Sequence, residues 1–316
     1  DKLVSVATLK EFEINTWLTN LQTDLNLALH NEFTLLRARL LLDMSDDTAS
    51  YLQSARMYLR TQLSVVVEQT QRFESIYLLD SAGRVLVSTD LSQEGKIYAA
   101  HPYFRNARQG QAYVHAPFHS PALGGLSVVA VLPVLREDGE VVGVLAGRAS
   151  LDALSAIMLE RAGLGETGET YLVSANRQML TPSRFDLSDE RIFVRSEGAL
   201  RALDAHLNSE GLYEGYRGEP VVGVYRWLPQ LEAALLAEQD QAEALENITT
   251  IANVGVSVIS LALAVVASLF VTRSIAAPLA RLARTTEVIA GGDLQIDIQA
   301  ERVDEVGAFA HAHRRP

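Results

Sequence analysis

The sequence predicts an α+β fold: long N-terminal helices, two tandem antiparallel-sheet modules, a membrane-crossing helix and a last helical segment. Three observations carry this. Apolar residues recur at helical spacing over residues 3–43, a period-two pattern replaces it after residue 72, and an uncharged apolar span runs from about Asn247 to Thr272. The chain has 316 residues, 48% of them hydrophobic, which is enough for two buried cores at roughly 100–200 residues per domain.

Ile14, Leu18, Leu21, Leu25 and Ala28 keep a 4-3-4-3 spacing, which lines them up on one helix stripe. Ser45, Asp46 and Asp47 supply a break and N-cap residues, and a second helix is expected to run to about Gln71. Strands follow at Phe73–Leu79 and Val85–Ser88, joined by a turn over Asp80–Gly83. Further strands are expected at Gln111–His115, Leu126–Leu135 and Glu140–Ser150, with Glu137-Asp138-Gly139 turning the last two into a hairpin. Asp152–Arg161 reads as a helix between modules. The layout then recurs in shorter form: Tyr77–Leu86 lines up with Tyr171–Leu180, and Gly139–Val144 with Gly218–Val224. The stretch Leu231–Glu246 reads as a helix leading to the membrane, and Glu166–Glu169 as a turn before a strand.

The apolar span is long enough to cross a bilayer core, which takes about 20 residues. Glu238, Asp240, Glu243 and Glu246 precede it; Arg273, Arg281 and Arg284 follow. Positive charge marks the cytoplasmic side, so residues before 247 are expected outside and residues after 272 inside. A buried core helix is the alternative, but it would seldom run so far without a polar face. After the span, Ile275, Leu279, Leu282, Thr286 and Ile289 form a second heptad stripe, with Pro278 near its start and Gly291-Gly292 at its end.

The net charge of −12 and pI of about 5.1 leave no basic footprint for nucleic acid. Absence of cysteine excludes disulfides and thiolate metal sites and fits an extracytoplasmic domain that folds without bridges. Asp1 and Lys2 lead straight into the amphipathic pattern, with no signal peptide ahead of them.

Residues 3–243 resemble a double Cache (dCache) sensor. The residues that carry the likeness are YLLDSAGRVLVSTD, HPYFRNARQGQAYVHAPF and VVAVLPVLREDGEVVGVLAGRASL, then GETGETYLVSANRQMLTPSRF and GLYEGYRGEPVVGVYRWL. From about residue 271 the chain resembles a HAMP relay, on Pro278, the Gly291-Gly292-Asp293-Leu294 connector, and Asp304-Glu305-Val306-Gly307. The resemblance implies sensor helices over 1–72, a membrane-distal module over 73–152, a proximal module over 153–246, a transmembrane helix over 247–272 and an incomplete HAMP over 273–316. It implies a homodimeric receptor of the bacterial inner membrane that senses a small molecule and relays the signal through Pro278, Leu282, Ile289, Asp304, Glu305 and Gly307. Such receptors usually carry a membrane helix before the sensor and an output domain after the relay, so the chain reads as a fragment. The expected output is a histidine kinase; a diguanylate or nucleotide cyclase and a chemotaxis transducer share the same front end. The alternative from another class is a membrane-anchored solute-binding protein. The Gly-Gly-Asp-Leu string lies in a linker and is no cyclase signature.

The ligand is expected in the distal module. Tyr98, His101, Tyr103, Arg105, Arg108, Tyr113, His115, Phe118, His119 and Arg148 gather there in sequence. Of these, Tyr103, Arg105, Tyr113, His115, Phe118 and Arg148 are the expected contacts, offering aromatic walls and a cation for a small organic acid. The Arg-x-Trp-Tyr string of the family's amino-acid binders is absent, so the likeness does not imply an amino-acid ligand. His101, His115 and His119 lack metal-ligand spacing, no cofactor is expected, and no catalytic constellation is present.

Overall fold

The computed structural model describes residues 2–44, 50–120, 123, 125–185, 191–277, 279–280 and 283–284, without the side chains of residues 247–253. The chain divides into two units, Asp1–Ala244 and Leu245–Pro316.

The first unit starts with α1 (Lys2–Ala28), α2 (Glu32–Asp43) and α3 (Ser50–Thr70). The helix expected over residues 3–43 is therefore two helices. Asn31 is extended and its side chain accepts from the Phe33 amide at 2.9 Å, so it caps a new helix instead of continuing the old one. The expected break at Ser45–Asp47 lies outside the described residues. All five stripe residues of α1 are buried.

Five strands follow: β1 (Phe73–Asp80), β2 (Val85–Ser88), β3 (Tyr113–Ser120), β4 (Gly125–Leu135) and β5 (Val141–Ala149). They form one antiparallel sheet in the order β2-β1-β5-β4-β3, and the short α4 (Pro102–Ala107) lies in the β2–β3 connection. After α5 (Leu151–Leu159) comes a second antiparallel sheet, β6 (Glu169–Ser174), β7 (Ser209–Glu214), β8 (Pro220–Leu228) and β9 (Ala233–Asp240), ordered β6-β9-β8-β7. Its helix is α6 (Glu197–Ala205).

Side chains alternate across a strand, so each sheet has two apolar faces to cover. One face of both sheets joins a single core with the helices: Leu18, Leu25 and Leu59 meet Leu78 and Leu145 of the first sheet and Leu172 and Leu235 of the second. The opposite faces hold separate clusters, around Tyr77 and Tyr103 in the first module and around Tyr171 and Tyr225 in the second. The helical spine sits tight on the first sheet at Gly147, where an added Cβ would lie 2.6 Å from the Phe73 ring and 3.1 Å from Leu25.

Three sequence expectations change. The third strand extends to Ser120, past Pro117, because a register shift between His115 and Phe118 accommodates the missing amide. The helix expected over Leu231–Glu246 is instead strand β9 as far as Asp240, with helix only from Gln241. Ala and Leu favour a helix there, but pairing with β6 and β8 on both sides overrides that preference. Finally, Gly139 and Gly218 are not equivalent. Sheet order equates β1, β5, β4 and β3 with β6, β9, β8 and β7, so Gly139 turns β4 into β5 whereas Gly218 turns β7 into β8. The likeness of those two strings reflects shared turn chemistry.

The helix α7 (Gln241–Val271) runs on into a π-helical turn over Thr272–Ala276. Within it, Val254–Ala276 is 23 residues long with a mean hydropathy of 2.6. Its Leu261, Leu263, Val266 and Phe270 side chains are exposed, as a lipid-facing helix requires. The expected relay residues Pro278, Leu282, Ile289, Asp304, Glu305 and Gly307 all lie outside the described residues.

Candidate functional site

The face of the first sheet opposite the helical spine carries most of the residues expected to bind a ligand. Register places Arg148 of β5 between Ser75 of β1 and Val129 of β4, and Val129 in turn opposite His115 of β3. One row across the sheet therefore reads Ser75, Arg148, Val129, His115. The next reads Tyr77, Ala146, Val131, Tyr113. Strand alternation puts both rows on one face.

Aromatic rings cover this floor. The Tyr77 and Tyr103 hydroxyls are 3.1 Å apart, and the Tyr113 hydroxyl donates to the Tyr103 carbonyl at 3.2 Å. His101 stacks on Tyr103 with ring centroids 5.3 Å apart, and Phe118 meets His115 edge-on at 5.0 Å. Tyr98 donates to Gln93. The rings are brought in by α4, which begins at Pro102 and buries Tyr103, Phe104 and Ala107. The Asp80–Gly83 turn lets the following loop close over β2: Gly83 has a φ of 78°, and an added Cβ there would strike the Ala99 backbone.

Arg148 is the charged group of this face. Its Nη1 lies 3.0 Å from Glu74 Oε2, while its buried Nε has no hydrogen-bond partner among the described residues. Burial pushes the Glu74 carboxyl up and Arg148 opposes the push, so the pair holds a half-desolvated charge. Burial raises the Tyr77 and Tyr103 hydroxyls well above the ordinary phenol range, keeping both neutral donors. The His101 imidazole is pushed down, first by burial and then by His115, so it is neutral near pH 7.

The structure thus brings together Tyr103, Tyr113, His115, Phe118 and Arg148, with His101 and Tyr98. It does not bring in Arg105 or Arg108. Both are exposed on the outer side of α4 and line a surface cleft with Ser81 and Gln109, because burial of Tyr103, Phe104 and Ala107 turns the arginines outward. His119 points away from the other two histidines, with Nε2 3.1 Å from Arg191 Nη2. Among the described residues, no three His, Asp or Glu side chains converge as a metal site would need. Sequence reasoning missed Ser75, Tyr77 and Glu74 as parts of this face. Their signal was the alternation within FESIYLL, which puts Phe73, Ser75, Tyr77 and Leu79 in phase except for a register shift between Phe73 and Ser75.

The second module repeats the plan without the arginine: Tyr171 occupies the place of Tyr77, and Glu238 of β9 lies on the same face, opposite the spine. At the module's end the Glu243 carboxylate accepts from the Glu166 and Thr167 amides, both at 2.8 Å, and from the Thr167 hydroxyl. These contacts tie the first turn of α7 to the turn before β6.

Two sheet modules on a shared helical spine, followed by a helix of membrane-crossing length, define the sensor portion of a transmembrane receptor. The chain belongs to the Cache domain family: the double-Cache form (dCache_1) matches residues 3–248, and a HAMP domain matches residues 270–315. It is 28% identical over 224 residues to the methyl-accepting chemotaxis protein McpA of Pseudomonas putida, a match covering 67% of this chain and 33% of that protein. The chain thus spans about a third of the length of that relative. The fold is similar to the sensor domain of the Vibrio cholerae histidine kinase DctB, with a TM-score of 0.53 and 14% identity, covering 76% of this chain and 99% of that one. An extracellular ligand binding receptor from Desulfohalobium retbaense has a TM-score of 0.52 at 14% identity, covering 74% and 39%. The chain is a Cache sensor joined through a membrane-capable helix to a HAMP segment, an arrangement for extracellular ligand sensing and signal transduction.

Proposed function

We propose that the first module binds a small organic acid between Arg148 and the rings of Tyr77, Tyr103, His115 and Phe118. The observation that carries this reading is the unpartnered Nε of Arg148 on a sheet face covered by aromatic rings. A carboxylate that accepts from Nε and one Nη would be held bidentately and would compete with Glu74. Release of Glu74 at the start of β1, where the strand leaves α3, is a change the spine can feel. A ligand can bias two arrangements only by its differential affinity for them.

The receptor reading has residues 1–72 as spine, 73–152 as the distal module, 153–246 as the proximal one, 247–272 in the inner membrane and 273–316 as HAMP. Residues before 247 lie outside and those after 272 inside, on the asymmetry of acid and arginine flanks. The chain works as a homodimer, since a four-helix HAMP bundle needs two chains. On this reading Leu282 and Ile289 form its seam, Pro278 stands near the start of the first HAMP helix, and Asp304, Glu305 and Gly307 open the second. The exposed Phe12, Leu27 and Phe33 of α1 and α2 offer apolar surface for a second copy. The output is a histidine kinase on the sequence expectation; the likeness to McpA favours a chemotaxis transducer as the second reading. Autophosphorylation of the full-length receptor in membranes separates the two.

The test of the site is calorimetry of the full chain in lipid nanodiscs with acetate, propionate and succinate. Arg148→Ala is expected to weaken any saturable binding by more than about tenfold. Arg105→Ala, on the outer side of α4, is expected to leave it unchanged. Equal affinity of wild type and Arg148→Ala would refute the assignment.

A further inference from the structure

The second module holds a different set of buried polar groups. Glu169 and Glu238 face each other as register partners across β6 and β9, 4% and 5% exposed. Buried like charges directly opposite on neighbouring strands are unfavourable unless something neutralises them. Glu169 is well satisfied: the Ser183 and Tyr216 hydroxyls and the Arg184 amide donate to it, each at 2.7 Å.

Glu238 is not. Its Oε1 has no hydrogen-bond partner among the described residues, and neither do the Tyr171 hydroxyl, the Tyr213 hydroxyl or Ser196 Oγ, all buried. Of the basic side chains nearby, Arg217 pairs with Asp240 at 2.8 Å, Arg184 donates to the Gly168 and Glu166 carbonyls, and Arg195 is exposed on the cleft wall. Three orphaned polar atoms on one face of one small sheet, with a fourth at the N-cap of α6, are unusual, because each left unpaired costs about 1–3 kcal/mol.

The backbone makes room for this set. A Cβ on Gly198 or Gly223 would collide with the Tyr213 hydroxyl, and one on Gly215 would sit 3.3 Å from Glu238 Oε2. A cleft of about 630 Å³ opens between the start of α6 and the β7–β8 turn; Ser196, Gly215 and Tyr216 line it together with two acidic and two basic side chains, Glu197, Glu214, Arg195 and Arg217. Cleft and buried set share Ser196, and Gly215 on the cleft wall lies over Glu238 Oε2. Tyr171 and Tyr216 pack edge to face with centroids 5.2 Å apart, and Tyr213 and Tyr225 at 6.3 Å.

We propose that this face of the proximal module is a second ligand site, for a small primary alkylammonium. The ammonium donates to Glu238 Oε1 and to the Tyr171 and Tyr213 hydroxyl oxygens, and Tyr216 supplies a ring face to the cation. It replaces the missing counter-charge between Glu169 and Glu238. The first module, with its Arg148, has the opposite charge preference, so the two sites discriminate acid from amine. Strand β9 leads directly into α7, which places Glu238 three residues ahead of Gln241, the first residue of the helix that reaches the membrane span.

The site is also sensitive to protons. Burial pushes the Glu238 carboxyl up to about 7; the Tyr171 and Tyr213 hydroxyls, close but out of hydrogen-bonding geometry, oppose this, Glu169 adds to it and Arg217 opposes it. Glu197 on α6 and Tyr225 on β8 also act on Tyr213, and Arg201 pairs with Glu197 and donates to the Tyr225 hydroxyl. Protonated Glu238 loses its charge for the amine, so affinity falls as pH drops below about 7.

The experiment is calorimetry of the full chain in nanodiscs at about pH 8, with ethylammonium chloride as probe and potassium chloride and sodium acetate as controls. A saturable heat with ethylammonium is expected, and none with potassium. Glu238→Gln is expected to weaken it by at least about tenfold, and Tyr213→Phe by a smaller factor. Acetate binding is untouched by either variant, so failure at this site is distinguishable from failure at Arg148. Circular dichroism checks that the near-isosteric variants fold. No saturable ethylammonium heat up to about 10 mM, or equal affinity in wild type and both variants, would overturn the proposal.

Discussion

Replacing Glu238 by glutamine should stabilise the protein at high pH and leave it unaffected at low pH. The folded chain holds the Glu238 proton more tightly than the unfolded chain, with a pKa moved from 4.5 to about 7. At about 1.4 kcal/mol per pH unit, that displacement corresponds to about 3 kcal/mol. The sign follows from which state binds the proton. The contribution is fully present below pH 4.5, declines as pH rises, and is lost once pH passes about 7. Glutamine carries no charge at any of these values, so the variant escapes the loss. Glu238→Gln should therefore match wild type near pH 4.5 and exceed it by up to about 3 kcal/mol above pH 7. The assay is chemical denaturation of the full chain in detergent at about pH 5 and about pH 8, followed by tryptophan fluorescence. Both tryptophans, Trp17 and Trp227, belong to the sensor and report on it alone. A stability difference that does not change with pH, or a variant weaker than wild type at about pH 8, would refute the reasoning.

Lys10 is 2% exposed and donates to the Ile157 carbonyl at 2.6 Å and to Glu160 at 3.0 Å, pinning α1 to the end of α5. Lys10→Ala should cost about 1–3 kcal/mol in the same denaturation assay, and Lys10→Met less, because it keeps the packed stem. A neutral Lys10→Ala would mean that the contact adds nothing to the docking of α5. Gly147→Val should destabilise by about 1–3 kcal/mol, since its side chain must displace Phe73 or Leu25 from the spine; an unchanged denaturation midpoint would contradict this. The Thr167 hydroxyl, then the Glu166 and Thr167 amides, hold the Glu243 carboxyl down to about 2. Its contribution is present above pH 4.5 and lost as pH falls towards 2, so Glu243→Gln should speed hydrogen exchange at the Glu166 and Thr167 amides at neutral pH. Unchanged exchange would show that the carboxylate is not what protects them.

The helical spine was legible because Ile14, Leu18, Leu21 and Leu25 repeat at helical spacing, and one helix face buried against sheets demands that repeat. Its division at Asn31 was not, because an asparagine inside a helical pattern becomes a cap only when the chain must change direction. Strands β1, β2, β4 and β5 were legible from their apolar patterns and from the turns at Asp80–Gly83 and Glu137–Gly139. Strand β9 was not: Ala233–Asp240 has a helix-like composition, and its partners lie far away in sequence at β6 and β8. Within the first site, the histidines, tyrosines and Arg148 could be picked out by residue type. Arg105 could not be told from Arg148, since both are cations in the same region and only their side of the fold separates them. The second site was invisible, because Glu169 and Glu238 are 69 residues apart and meet only through sheet register.

The sequence by itself determined the class of this protein. Local patterns suffice for that: an apolar span with acid before it and arginine after it, a heptad beyond the span, and turn-bounded strands ahead of it all act over a few residues. Tertiary structure alone decided which side chains share a face. It joined Ser75, Arg148, Val129 and His115 in one row, turned Arg105 outward, and set Glu169 opposite Glu238. The physical reason is that a strand's neighbours are chosen by long-range pairing, and a shift of one residue in that pairing would send every one of these side chains to the other face.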